Sequence, residues 1–122
     1  MNIPKSLKVG GKIYTVEQTE EISIGKEYQG ETIFAELAIR IWPSKAQAMR
    51  EVTFLHEMLH AIYSHLGYFD YSEKKIDELA NALHMVIVDN PGVFDRPPLW
   101  SLPDREQAEE RYPKEAGSEK NG

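Results

Sequence analysis

Between Pro43 and Gly67 the apolar residues recur at helical spacing, and no other stretch constrains the fold as much. Val52, Leu55, Leu59, Ile62 and Leu66 make one stripe, and Met58 widens it. Ser44 followed by Gln47 has the capping-box pattern of a helix start, and Gly67 suits a left-handed C-cap. The spacing predicts a helix over 45–66. In its middle stands His56-Glu57-Met58-Leu59-His60.

Two histidines at i and i+4 lie one turn apart on one helix face, so both imidazoles can converge on one zinc ion. Glu57 points about 100° round the helix from its neighbour, toward the open side of such a metal. There it can act as general base on zinc-bound water, which the metal acidifies while polarising a carbonyl. The cofactor expected is therefore Zn2+. The chain has no cysteine, which excludes disulfides and thiolate zinc sites and leaves histidine, carboxylate or water as ligands.

Upstream, Leu7-Lys8-Val9, the Gly10-Gly11 pair and Ile13-Tyr14-Thr15-Val16 have the pattern of a β-hairpin. The polar stretch from Glu17 to Gly30, with Ile22, Ile24 and Tyr28, gives no clear period. Residues 32–35 and 37–42 read as further strands, and the second is a candidate edge for an extended peptide. Downstream, Ser72 suits the N-cap of a second helix with Glu73 in its first turn. That helix should run to about Val88, with Ile76, Leu79, Ala80, Leu83, Val86 and Ile87 facing the core, and stop at Asn90-Pro91-Gly92. The expected fold class is α+β, a small antiparallel sheet packed beside the HExxH helix and a second ligand-bearing helix, zincin-like. Residues 1–95 form that domain. Residues 96–122 are rich in proline and charge and are expected to be disordered.

A catalytic zinc site needs a third protein ligand. The second helix offers Asp77, Glu73, Glu78 and His84, and periodicity gives Asp77 a modest lead. Glu73 and Asp77 are one turn apart, so both can face one region. The plainer roles are a helix-dipole residue for Glu73, solvated surface for Glu78 and a lysine partner for Asp77. His84 shares the Asp77 face and suits oxyanion stabilisation or a hydrogen bond to a ligand, or a half-buried structural place. Tyr63, one turn past His60, suits core packing better than substrate contact. Asn81 is a candidate for a helix-to-helix hydrogen bond, and His65 for a surface cation at a helix end.

Thr53-Phe-Leu-His-Glu-Met-Leu59, His60 and Glu73-Lys-Lys-Ile-Asp77-Glu-Leu-Ala80-Asn81-Ala-Leu83 resemble the ImmA/IrrE family of zinc metallopeptidases, most closely its short phage and prophage members. The resemblance covers roughly residues 30–90. It implies a small α+β fold, zinc on His56 and His60, and Glu57 as the catalytic base. It places the third ligand on Asp77, because Ala80-Asn81 sets the register. Larger members usually carry glutamate there, and the shorter aspartate keeps Glu73 open as the alternative. Better-studied members cleave a partner repressor protein, so the implied partner is a protein or peptide substrate.

The remaining features bound these expectations. A formal net charge of −6, with no clustered Lys and Arg, argues against a nucleic-acid partner. The N-terminal residues hold no apolar signal core, and no stretch of about 18 apolar residues can span a bilayer, so no membrane association and a cytoplasmic location are expected. The function expected is zinc-dependent hydrolysis of a peptide bond in a protein partner. The alternative is a non-catalytic zinc-containing regulatory or interaction module, against which the intact Glu57 argues.

Overall fold

The computed structural model describes residues 1–23, 29–97 and 99–111. The chain divides into two compact units, Met1–Asn90 and Pro91–Gly122. The first holds strands β1 (Ser6–Val9), β2 (Lys12–Gln18), β3 (Gly30–Ile33) and β4 (Ala38–Ile41), then helices α1 (Gln47–Leu66) and α2 (Glu73–Asp89). It is an α+β arrangement with a four-stranded sheet in the order β1-β2-β4-β3.

The expected hairpin forms: β1 and β2 pair antiparallel, with Val9 opposite Lys12 across Gly10-Gly11. Gly10 has a φ of +60°, and a Cβ there would stand 2.5 Å from Cε1 of His65. Glycine at that turn thus serves both the backbone conformation and its close seat on the end of α1. The wholly antiparallel sheet expected from the sequence is corrected. β4 pairs antiparallel with β3 but parallel with β2. From β2 the chain passes to the outer position, lays down β3, and turns back through 34–37 so that β4 fills the gap. That order makes β4 an interior strand, so the candidate peptide edge at 37–42 is corrected too, and β3 is the outer strand on that side.

The core gathers Tyr14, Val16, Ile39 and Ile41 from the sheet, Phe54, Leu55, Leu59 and Ala61 from α1, and Ile76 and Ala80 from α2. Burying Ile39, Ile41, Leu55 and Ile76 completely stabilises the fold by about 1.5–3 kcal/mol each. α1 is buried over more of its surface than one stripe, because β3 and β4 pack on one flank and α2 on another. Thr53, Phe54 and Ala61 are therefore buried as well, while Leu66 at its end is exposed. On α2 only Ile76 and Ala80 are buried, and Leu79 and Val86 are exposed.

The N-cap of α1 is Ala46, without a side-chain cap, so the Ser44–Gln47 box does not form. Instead the Ser44 hydroxyl accepts from the Ala46 N–H at 3.3 Å. Gly67 closes α1 with a φ of +78°, and Ser72 caps α2 by accepting from the Lys75 N–H at 3.2 Å.

The second unit contains a 3-10 turn at Leu99–Ser101 and helix α3 (Asp104–Arg111). Gln107 Nε2 donates to the Leu102 carbonyl at 2.7 Å, and Arg96 pairs with Glu110 at 2.9 Å. A helix thus stands within the segment read as disordered, on a sequence of many charges and no buried residue. Residues 24–28, including Ile24 and Tyr28 of the unclear stretch, and the end of the chain from 112 lie outside the described residues. No described helix is long and apolar enough to cross a membrane.

Candidate metal centre and catalytic site

α1 places His56 and His60 on one face, where their Nε2 atoms stand 3.2 Å apart. α2 starts opposite them with Glu73. One Glu73 oxygen lies 3.0 Å from Nε2 of His56, and the other lies 3.1 Å from Nε2 of His60. Among the described residues, these three side chains are the ones whose ligand atoms fall within 4.8 Å of one another. The geometry suits a metal: donors about 2.0–2.1 Å from a tetrahedral zinc stand about 3.3 Å apart. The spacings of 3.0–3.2 Å need little adjustment.

Asp77 lies elsewhere on the same imidazole. Its Oδ1 is 2.7 Å from Nδ1 of His56, the ring nitrogen turned away from Glu73. Nδ1 of His60 is 2.7 Å from the Tyr71 hydroxyl. Burial holds the His60 imidazole below its ordinary pKa, against the opposing pull of Glu73. Burial and then the Glu73 carboxylate push the Tyr71 phenol up.

Glu57 is buried, 5% exposed, beside this group, with Oε2 3.9 Å from Nε2 of His56. Thr32, from the outer strand, donates its hydroxyl to Oε1 at 2.8 Å. Burial raises the Glu57 carboxyl to about 7, while the Thr32 hydrogen bond and then His56 pull it down. A carboxyl tuned to that range suits proton transfer near neutral pH. A cleft of about 750 Å³ opens here, lined by Thr32 and Ile33 from the sheet, Phe34 from the turn after β3, and His56, Glu57 and Glu73 among others.

No known family, curated protein or solved structure matches this chain. The site therefore stands on its own geometry.

Of the residues singled out in the sequence, His56, Glu57, His60, Glu73 and Asp77 come together. His84 does not join them. Its Nε2 pairs at 2.8 Å with Glu51, a buried carboxylate of α1 that Gln47 also contacts at 2.8 Å. Burial alone would raise the Glu51 pKa, but the hydrogen bonds from His84 and Gln47 win and hold it low. Glu78 pairs with Lys74 at 3.9 Å on the exposed face of α2. Asn81 donates to the Asp77 carbonyl at 2.9 Å, a bond within its own helix and not between helices. Thr32 and Tyr71 were not singled out for chemistry. Thr32 meets Glu57 across 25 positions of chain, which no local pattern records.

Proposed function

We propose that the protein is a zinc-dependent metallopeptidase of zincin type, with zinc held by His56, His60 and Glu73 and with Glu57 as the general base. The observation that carries this reading is the convergence of acceptors. When Nδ1 of each ring donates outward, to Asp77 and to Tyr71, both Nε2 lone pairs turn toward the Glu73 carboxylate. Lone pairs and a carboxylate facing one another at 3.0–3.2 Å repel unless a ring proton or a metal cation lies between them, and one metal ion satisfies all three groups at once. The resemblance to the ImmA/IrrE peptidases agrees with this reading, except that the register of that family would put the third ligand on Asp77. The distances favour Glu73.

When bound, zinc would polarise the scissile carbonyl and acidify the attacking water. The residues supply the rest. Glu57 takes the proton of that water and passes it to the leaving amine, as a buried carboxyl within reach of both can. Thr32 fixes one Glu57 oxygen and leaves the other turned toward the histidines. The outer strand β3 runs along the cleft, so an extended substrate chain can lie beside it in the manner of an added strand.

The test is a digest of a diverse peptide mixture by the zinc-loaded full chain, read by mass spectrometry for new termini. Cleavage by the wild type, lost in Glu57→Gln with zinc still bound, is expected. Zinc bound without cleavage would leave a non-catalytic zinc module, and equal cleavage by Glu57→Gln would remove the general-base role.

A further inference from the structure

Metal-binding histidines need their second ring nitrogen fixed, because that contact sets both the tautomer and the ring plane. For His56 a carboxylate from α2 does this. For His60 the partner comes from neither helix. It is Tyr71, in the connector 67–72 between them, with its hydroxyl 2.7 Å from Nδ1.

We infer that Tyr71 is a positioning residue of the zinc site, making the connector between α1 and α2 part of the metal-binding unit. This inference rests on the zinc reading above. Three observations support it. The tyrosine ring is itself held, edge-on to Tyr63 with ring centres 4.9 Å apart at 89°, and Tyr63 stands edge-on to Tyr68 at 6.2 Å. Tyr63 belongs to α1, one turn beyond His60, so the helix that carries the ligand also aims the hydroxyl that orients it. The connector is tied down at both ends, by Tyr68 N–H to the Tyr63 carbonyl at 2.9 Å and by the Ser72 cap of α2. Its place leaves the phenol oxygen little freedom, which is what a group that fixes a ligand requires.

The hydroxyl is a neutral partner where Asp77 is a charged one. It accepts from Nδ1–H and thereby directs the Nε2 lone pair to the metal without adding negative charge. Tyr71→Phe removes that oxygen and keeps the ring packing against Tyr63, which isolates the effect.

Zinc affinity by chelator competition and hydrogen exchange of the connector, both on the full chain, test the inference. Tyr71→Phe should weaken zinc about tenfold while the metal-free protein stays folded, its thermal midpoint lowered only slightly by the loss of one hydrogen bond. Tyr63→Phe, which loses a hydroxyl not bonded to His60, should bind zinc as the wild type does. Zinc should slow exchange over 68–72 in the wild type and not in Tyr71→Phe. Wild-type affinity in Tyr71→Phe, an equal loss in Tyr63→Phe, or no zinc-dependent slowing in the wild type would overturn it. A wild type that binds no zinc would instead defeat the zinc reading itself.

Discussion

Thr32 Oγ1 donates to Glu57 Oε1 at 2.8 Å, tying the outer strand of the sheet to the glutamate of the HExxH helix. The same hydroxyl stands 3.2 Å from the Glu57 carbonyl, so it reads both the side chain and the turn that carries it. A buried carboxylate with one oxygen held can present the other in a fixed direction. That is the property a general base needs.

Thr32→Val keeps the shape and removes the donor. Turnover of a peptide cleaved by the wild type should fall about tenfold, with zinc affinity unchanged, because general-base alignment and not the metal is affected. Thr32→Ser keeps the donor and should recover most of the rate. Steady-state kinetics with zinc content measured on the same samples check this; equal rates in Val and wild type would show the bond is idle.

Gly30 lies where β3 packs against α1. A Cβ at this position would stand 2.6 Å from Cγ2 of Thr53, 3.0 Å from the Arg40 carbonyl and 3.3 Å from Cγ of Glu57. Gly30→Ala should therefore destabilise the fold by about 1–3 kcal/mol, as overpacking does. Adding Thr53→Ser, which removes the nearest atom, should restore part of the loss. Denaturant midpoints of the single and double variants measure it, and a neutral Gly30→Ala would show that the strand can simply shift outward.

The metal-free protein should become less stable as pH rises across the range in which Glu57 titrates. Its carboxyl is raised by burial to about 7 from an ordinary value of 4.5. Between those values the folded chain holds a proton that the unfolded chain has lost, so the stability it contributes is present at low pH and fades toward pH 7. Glu57→Gln removes this dependence. Relative to wild type it should gain on the order of 3 kcal/mol between pH 4.5 and 8, measured by denaturation with chelator present. A parallel pH dependence in the two proteins would contradict the raised carboxyl.

Much of this arrangement is legible in the sequence because it is local. The period of Val52, Leu55 and Leu59 gives α1, Gly67 ends it, Ser72 starts α2, and the Gly10-Gly11 pair gives the hairpin. His56, Glu57 and His60 stand together for the same reason: four residues bring a helix round to the same face. The order of the strands is not local. Nothing in residues 30–42 states that β4 will insert between β2 and β3, so the parallel pair and the true outer strand appear only in the fold.

The roles of Glu73 and Asp77 were closed to the sequence for a related reason. They are one turn apart on α2, and which carboxylate meets Nε2 depends on how α2 lies against α1. Tyr71 depended on the path of the connector, and Thr32 on a contact between a strand and a helix far along the chain. The helix within 96–122 escaped because its residues carry no apolar face to betray it.

The most direct test of the metal site is zinc affinity of the wild type beside Glu73→Ala and Asp77→Ala, by chelator competition. One tightly held equivalent in the wild type is expected, with Asp77→Ala weaker by about 10–100-fold, as for loss of a group that orients a ligand, and Glu73→Ala weaker still. A wild type without zinc, or an Asp77→Ala that loses the metal while Glu73→Ala keeps it, would contradict the site as described.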